Sequence, residues 1–199
     1  RPQKFAYITT GHGERSTSPR ADDPAGLKNF KQLLEAFNYK VKKLGPKEGL
    51  SNQVPEDATL VVVPGPTGPM LESELQSLID YVQGGGALLL LVDPIVDDDP
   101  ELDPLLAELG LRVGDGVLAH DRKHLVLRRS LEDRGLLLTN RFSTHDSTTV
   151  LAKNSSRLAF FVDQAGFLEQ AEASEGTDVQ FTVRSSAGTW ADLDGDYSY

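Results

Sequence analysis

Two side chains that can bind a metal or move a proton follow the first apolar run, in the segment Gly11-His12-Gly13-Glu14. An imidazole acts as a general base or a metal ligand, and carboxylates and a second imidazole complete many metal sites. Asp93 and His145 would supply those groups if the fold brought them to the same place. That set would make the protein a metal-dependent hydrolase. The alternative, which we favour, is that His12 and Glu14 hydrogen-bond neighbouring turns and hold their loop in shape.

Three predicted strands end beside such residues. Phe5–Ile8, Leu60–Val63 and Leu88–Val92 are continuous apolar runs stopped by glycine- or proline-containing turns. Runs of this kind are typical of central strands in a parallel sheet. Ligands of open α/β sheets bind beyond the carboxyl ends of the strands. The turns GHGE, PGP and VDP should therefore line one rim, where a binding site is expected.

The segments between these strands predict helices. Apolar residues recur at helical spacing over Leu27–Phe37 and again over Met70–Val82, and Leu105–Leu109 predicts a shorter helix. Tyr39–Leu44 adds a further strand. The order is βαββαβα, and right-handed crossovers give a three-layer, doubly wound, mostly parallel α/β sandwich.

The C-terminal half predicts extra β elements. Short strands are expected at Val117–Leu118, Leu125–Leu127, Leu136–Leu138 and Val179–Val183, and Arg157–Val162 is expected to return to the main sheet. Ala191–Tyr199 is expected to be a polar tail, and His120 and His124 to lie on the surface. The whole chain, 1–199, is predicted to be a single domain, with a core of about 1–165 and a C-terminal extension of about 166–199.

Composition excludes several classes of function. The net charge of −10 and the pI of about 4.8 argue against nucleic-acid binding, which needs a basic stripe. The absence of cysteine removes thiolate nucleophiles and cysteine-based zinc sites. Dinucleotide, Walker A and serine-elbow motifs are absent, and the acidic segments Asp97–Asp103 and Asp192–Asp196 lack the calcium-loop pattern. We therefore predict no cofactor and no catalysis.

Two features concern the membrane and the loops. The longest strongly apolar run, Ala87–Val92, is far shorter than the about 20 residues of a spanning helix. The chain starts at Arg1, from which we expect that an N-terminal signal or anchor has been removed. The polar segment Arg15–Pro24 is expected to be a mobile loop over the rim.

Six segments, in order, carry a family resemblance. KFAYITTGHGE, VPEDATLVVVPGP, ELQSLIDYVQGGGALLLLVDP, GLRVGDGVL, NRFSTHDST and TWAD resemble the auxiliary component of uncharacterised bacterial ABC-type transport systems. That family includes the gliding-motility-associated auxiliary proteins. The resemblance covers most of the chain, and the ordered set is more specific than any one segment.

The resemblance implies a flavodoxin-like or class I glutamine amidotransferase-like sandwich on the periplasmic face of a bacterial inner membrane, anchored by helices outside this chain. It implies an ABC permease and its ATPase as partners. The function it implies is non-catalytic binding of a solute, a glycan or a protein, linked to gliding motility or cell-surface transport. Amidotransferase relatives use a cysteine, which this chain lacks. By position, the family's recurrent rim residues are His12, Glu14, Pro64, Gly65, Asp93, Pro94 and His145.

Overall fold

The computed structural model describes residues 2–18, 26–94, 99–172 and 176–199. The chain divides into two compact units. The first comprises Arg1–Val92 with Val96–Glu108, and the second comprises Asp93–Ile95 with Leu109–Tyr199. In the described ranges, no helix has the length and apolar character that a membrane span requires. Much of the Arg15–Pro24 segment lies outside the described residues.

The first unit is built on a parallel sheet of four strands. Its elements in chain order are β1 (Lys4–Thr9), α1 (Lys28–Ala36), β2 (Tyr39–Leu44), β3 (Ala58–Pro64), α2 (Glu72–Gln83), β4 (Leu88–Leu91) and α3 (Asp103–Glu108). The strand order is β2-β1-β3-β4, and all three pairings are parallel. The predicted order of strands and helices is confirmed for this half of the chain.

The core of the first unit lies around β1 and β3. Ala6 and Ile8 on one face of β1 pack with Val62 of β3 and with Leu34 of α1. Val61, Val62 and Val63 are fully buried, and because successive side chains of a strand point to opposite faces, β3 is covered on both faces. Burial on both faces explains why the sequence of this strand is continuously apolar.

The fourth strand differs from expectation. Its apolar run predicts a central strand, but β4 is the last strand of the sheet as described, and its residues are only partly buried. Leu91 is 38% exposed. A run of leucines therefore does not distinguish a strand buried on both faces from an edge strand with a half-covered face.

A polar network ties three strands of this sheet together. The Tyr7 hydroxyl donates to Asp57 at 2.7 Å, and the Lys42 ammonium donates to both of them at 2.8 Å. The hydrogen bond from Lys42 is the main cause of a lowered pKa for Asp57. Lys42 also lies 4.0 Å from the centre of the Phe5 ring, a cation–π contact.

The second unit consists of short antiparallel strand pairs. Its elements are β5 (Leu111–Val113), β6 (Val117–Ala119), β7 (Leu136–Thr139), β8 (Arg141–Phe142), α4 (Thr149–Lys153), β9 (Phe160–Asp163), β10 (Leu168–Gln170), β11 (Val183–Arg184) and β12 (Trp190–Asp192). The pairs are β5 with β10, β6 with β12, β7 with β9 and β8 with β11.

Four expectations for the secondary structure of this half are wrong. The predicted strand Val179–Val183 shares only Val183 with an observed strand, β11. Residues of Arg157–Val162 form β9, which pairs with β7 and not with the parallel sheet. Leu125–Leu127 is not a strand; only a single bridge from His124 to Leu137 occurs there. Ala191–Tyr199 is not a tail, because β12 pairs with β6 and Tyr197 is only 6% exposed. The predictions of one domain and of a C-terminal extension stay predictions.

Candidate functional site

Two loops meet where β1 and β3 end. The carbonyl of His12 accepts hydrogen bonds from the backbone N–H groups of Thr67 at 2.8 Å and Gly68 at 3.1 Å. The N–H of Arg15 donates to the carbonyl of Pro64 at 3.0 Å. The GHGE and PGP turns therefore form one rim, as the sequence predicts for parallel strands whose carboxyl ends share an edge.

The glycines around His12 make this approach possible. Gly11 and Gly13 have φ values of +124° and +78°, which side-chain-bearing residues rarely adopt. A Cβ on Gly13 would also collide with the Thr67 hydroxyl. The turn therefore needs glycine at residue 13 both for its backbone conformation and for its contact with the second loop.

Glu14 supports the same turn from within. Its Oε2 accepts the backbone N–H of His12 at 2.7 Å. The main chain of His12 is thus hydrogen-bonded at both its N–H and its carbonyl, which fixes the direction in which the side chain leaves the backbone. The geometry agrees with the prediction that Glu14 holds its loop in shape by a hydrogen bond.

The His12 ring faces a carboxylate that sequence reasoning missed. His12 Nε2 lies 2.9 Å from Oε2 of Glu74, and the side chains are 10% and 0% exposed. Their geometry is not that of a hydrogen bond, because Nε2 lacks a hydrogen-bond partner among the described residues. The contact is thus a close approach of imidazole and carboxylate inside the protein.

Glu74 reaches this position from the first turn of α2. Its Oε2 also accepts the N–H of Leu71 at 3.0 Å, which satisfies one free donor at the helix start. Leu75 and Leu78 are buried on the same side of the helix. The sequence therefore contained a clue to the burial of Glu74, because this residue falls on the apolar stripe of α2 and not on its polar face.

Polar atoms without partners concentrate beneath this rim. Over the described parts of the chain, five buried side-chain atoms have no hydrogen-bond partner, and four of them belong to Thr9, His12, Glu14 and Glu74. The fifth is the indole N–H of Trp190 in the second unit. Buried polar groups nearly always have partners, so a concentration of this kind needs an explanation.

A shallow pocket lies at the meeting point of the two rim loops. Its volume is about 280 Å³, and it is lined by Gly11, His12, Gly13, Thr67, Gly68 and Pro69. Most of the lining is backbone or small side chains from the two rim loops. His12 is therefore the one titratable residue among those that line this pocket.

The other predicted rim residues belong to the second unit. Pro94 packs so closely against Gly166 that a Cβ on Gly166 would lie 2.6 Å from the proline ring. His145 is exposed, and its Nδ1 accepts the N–H of Ser147 at 3.2 Å. His145 thus caps a short 3-10 turn. Asp93 is partly buried.

The metal-site hypothesis gains no support from this geometry. Within the described ranges, one group of three acidic or histidine residues places its ligand atoms within 4.8 Å of one another: Asp192, Asp194 and Asp196. It contains no member of the proposed set. Asp192 already accepts N–H groups of Gly195 and Tyr197, and its hydrogen bond to Asp194 raises the pKa of Asp194.

His120 corrects another expectation, because it is only 5% exposed. Its Nε2 donates to the carbonyl of Ala187 at 3.2 Å, and its Nδ1 accepts the N–H of Arg122 at 3.1 Å. Both ring nitrogens are engaged, as in a structural histidine. The polar neighbours Asp121 and Arg122 concealed this burial in the sequence.

Comparison with known proteins decides the family. A family described as ABC-type uncharacterized transport system, of auxiliary components, matches residues 4–196. The chain belongs to this family. A transport-related role follows for it, and the resemblance drawn from the sequence segments is confirmed. No curated protein sequence matches the chain.

Solved structures add information on the fold of this family member. The structure of the mmIFT52 N-terminal domain aligns with a TM-score of 0.68 at 14% identity, covering 94% of this chain and 75% of that one. At this identity the likeness concerns the fold alone. The structure of PurLQS from Thermotoga maritima aligns over 98% of this chain and 78% of that one at 12% identity, but its TM-score of 0.38 is too low to support an argument.

The first prediction concerns the buried pair. We expect His12→Ala to lower the free energy of unfolding by roughly 1–3 kcal/mol, because it leaves the Glu74 carboxylate buried without the imidazole. Chemical denaturation measures this. The double variant His12→Ala/Glu74→Gln should cost less than the sum of the single variants, since the two groups act on each other.

Glu72→Gln is the matched control for Glu74→Gln, because Glu72 is exposed in the same helix turn. It should change stability by less than about 0.5 kcal/mol. Additive effects of His12→Ala and Glu74→Gln, or a His12→Ala protein as stable as the parent, would show that the pair contributes nothing to the fold.

Proposed function

We propose that this chain is the non-catalytic binding domain of an ABC-transport auxiliary protein. It binds a solute, a glycan or a protein at the rim formed by the GHGE and PGP turns and communicates that binding to an ABC permease and its ATPase. It works on the periplasmic face of a bacterial inner membrane, held there by helices outside this chain. The transport it serves is cell-surface transport of the kind linked to gliding motility.

One observation carries the binding role. Four buried polar atoms near the ends of β1 and β3 have no hydrogen-bond partner among the residues described, and one of their residues, His12, lines a pocket. Such atoms are satisfied by ordered water or by a bound group. Their position beyond the carboxyl ends of parallel strands is where α/β sheets bind ligands.

The non-catalytic character rests on the chemistry at the rim. The chain has no cysteine, and the His12 imidazole faces a carboxylate and not a serine or threonine hydroxyl. Family membership points the same way, since the family consists of auxiliary transport components. We therefore assign the imidazole to binding and to the shape of the rim.

The finer fold assignment belongs to the same proposal. The order β2-β1-β3-β4 equals the first four strands of the flavodoxin-like order, in which the ligand lies at the β1/β3 switch point. His12 follows β1 and Thr67 follows β3. We propose a flavodoxin-like, class I amidotransferase-like first unit whose switch point holds the binding site.

The test fills the pocket without disturbing the fold. The nearest atom to a Cβ on Gly68 would be the His12 carbonyl oxygen at 3.8 Å, an ordinary contact. Gly68→Phe should therefore keep the melting temperature of the parent and place a ring in the pocket. A panel of solutes and glycans is screened by thermal shift, and permease and ATPase are captured from membranes with the same variants.

A ligand at a hundredfold excess over its Kd stabilises by about 2.7 kcal/mol, so it should raise the melting temperature of the parent by roughly 5–10 °C. Gly68→Phe should abolish that shift. Gln53→Phe, an exposed position of the same unit outside the pocket, should preserve it. A ligand or partner that binds Gly68→Phe as well as the parent would place the site elsewhere, and turnover of any bound compound would refute the non-catalytic role.

A further inference from the structure

A loop in the second unit exposes apolar side chains to solvent. It follows β6 and runs over residues 126–131; we name it the basic–aliphatic loop. Val126 is 62% exposed, Leu127 is 69% exposed and Leu131 is 51% exposed. Single exposed apolar residues are common on protein surfaces, but three in one short loop form a small apolar tip.

A buried carboxylate holds the backbone of this loop. Asp133 is 1% exposed and accepts the N–H groups of Leu127, Arg128 and Arg129 at 2.7–3.0 Å. Burial would raise the pKa of Asp133, but these three donors more than offset it and lower the pKa. Three consecutive N–H groups directed at one carboxylate fix the direction in which the side chains of the loop project.

The loop also contains backbone strain. Arg129 has a φ of +58°, in the left-handed region that favours glycine. Strain of this kind persists only where surrounding contacts maintain it, and it is concentrated at functional positions. Here the Asp133 contact maintains a loop shape that exposes leucine side chains, which the hydrophobic effect alone would disfavour.

Exposed basic residues lie within and just before the basic–aliphatic loop in the sequence. Arg128 is 75% exposed and pairs with Glu132 at 3.1 Å. Arg122, Lys123 and Arg129 are exposed as well and make no ion pair with any residue the structure describes. Residues 120–135 contain five basic and three acidic side chains, so this segment has a net positive charge, whereas the whole chain has a net charge of −10.

We propose that the basic–aliphatic loop is a peripheral docking site for an anionic lipid surface. Leu127 and its aliphatic neighbours enter the boundary between headgroups and acyl chains, while the arginines contact lipid phosphates. Binding to an anionic lipid surface requires positive charge and an apolar tip on the protein, and this loop has both. Single-stranded nucleic acid fits less well, because residues 120–135 contain no phenylalanine, tyrosine or tryptophan on which a base could stack.

Vesicle co-sedimentation of the 199-residue chain tests the proposal. The parent should pellet with vesicles of equal parts phosphatidylglycerol and phosphatidylcholine, more strongly at low than at high salt, and not with phosphatidylcholine alone. Leu127→Glu and Arg129→Glu should each weaken binding about tenfold or more. Both side chains are exposed, and the contacts to Asp133 are made by backbone, so circular dichroism should show an unchanged fold.

Val150→Glu and Lys153→Glu are the matched controls, since Val150 is 71% exposed and Lys153 is exposed in the same unit, on α4. They should bind like the parent. Failure of the parent to pellet, equal binding to both vesicle types, or equal loss in the controls would overturn the proposal. Binding to soluble polyglutamate without binding to vesicles would also overturn it, in favour of an acidic protein partner.

Discussion

Replacing Val62 with aspartate should unfold the first unit. Val62 is 0% exposed and is paired with Ile8 on one side and Leu89 on the other. A carboxylate at this position would lie in the apolar core with no charged partner, at a cost of several kcal/mol. That cost is a large share of the about 5–15 kcal/mol by which a domain is stable. Circular dichroism and a thermal melt measure the outcome.

Val150→Asp makes the same chemical change at a residue that is 71% exposed, on α4 of the second unit. It should melt within a few degrees of the parent, because surface substitutions rarely exceed about 0.5 kcal/mol. A Val62→Asp protein with a native spectrum and the melting temperature of the parent would show that the side chain of residue 62 has a route to water and that β3 is not central.

The second large effect concerns Asp133. Removing its carboxylate with Asp133→Ala leaves the N–H groups of three consecutive residues without their acceptor. We expect the melting temperature to fall by roughly 5–10 °C. Glu132→Ala, at the adjacent exposed residue, removes only a surface ion pair with Arg128 and should change it by no more than a few degrees.

The same carboxylate makes stability depend on acid. Burial alone would raise the pKa of Asp133, but the N–H donors of the loop prevail and the pKa lies below the ordinary 3.8. The stabilisation is therefore complete above the ordinary pKa and is lost as pH falls through the lower value of the folded state. The melting temperature of the parent should decrease as the pH drops below about 4. The melting temperature of Asp133→Asn should depend less on pH. If the melting temperatures of the parent and of Asp133→Asn changed with pH in parallel, this prediction would be contradicted.

The first half of the fold was predictable because its signals are local. The strands β1 and β3 are continuous apolar runs ended by glycine or proline, and α1 and α2 show helical spacing. These patterns depend only on neighbouring residues. They predicted the sheet edge at which the rim loops meet, and so placed the GHGE and PGP turns in adjacent loops.

The second half was predicted poorly for a physical reason. Its strands are two to four residues long and form isolated pairs, so neither face is covered consistently. β9 is exposed at both Phe160 and Phe161, which leaves no alternation to detect. Without that alternation, partners such as β12 and β6, about seventy residues apart, cannot be matched from sequence.

The site itself depended on a long-range contact that no local pattern reports. His12 and Glu74 are far apart in the chain, and Glu74 resembled an ordinary acidic residue in the first turn of a helix. Its place on the apolar stripe with Leu75 and Leu78 was the available clue. The two loops could be placed on one rim from sequence, but the partner of the imidazole could not.

The position of the last strand has a consequence for synthesis. All four strands of the parallel sheet have been made once Leu91 has left the ribosome, so that sheet can assemble while the rest of the chain is still being added. The second unit must wait, because β6 pairs with β12 and the buried Tyr197 lies near the end of the sequence. During this interval β6 lacks the strand with which it pairs, and Tyr197 has not yet been added. The first unit can therefore fold during synthesis, whereas folding of the second unit is completed only after β12 has been made.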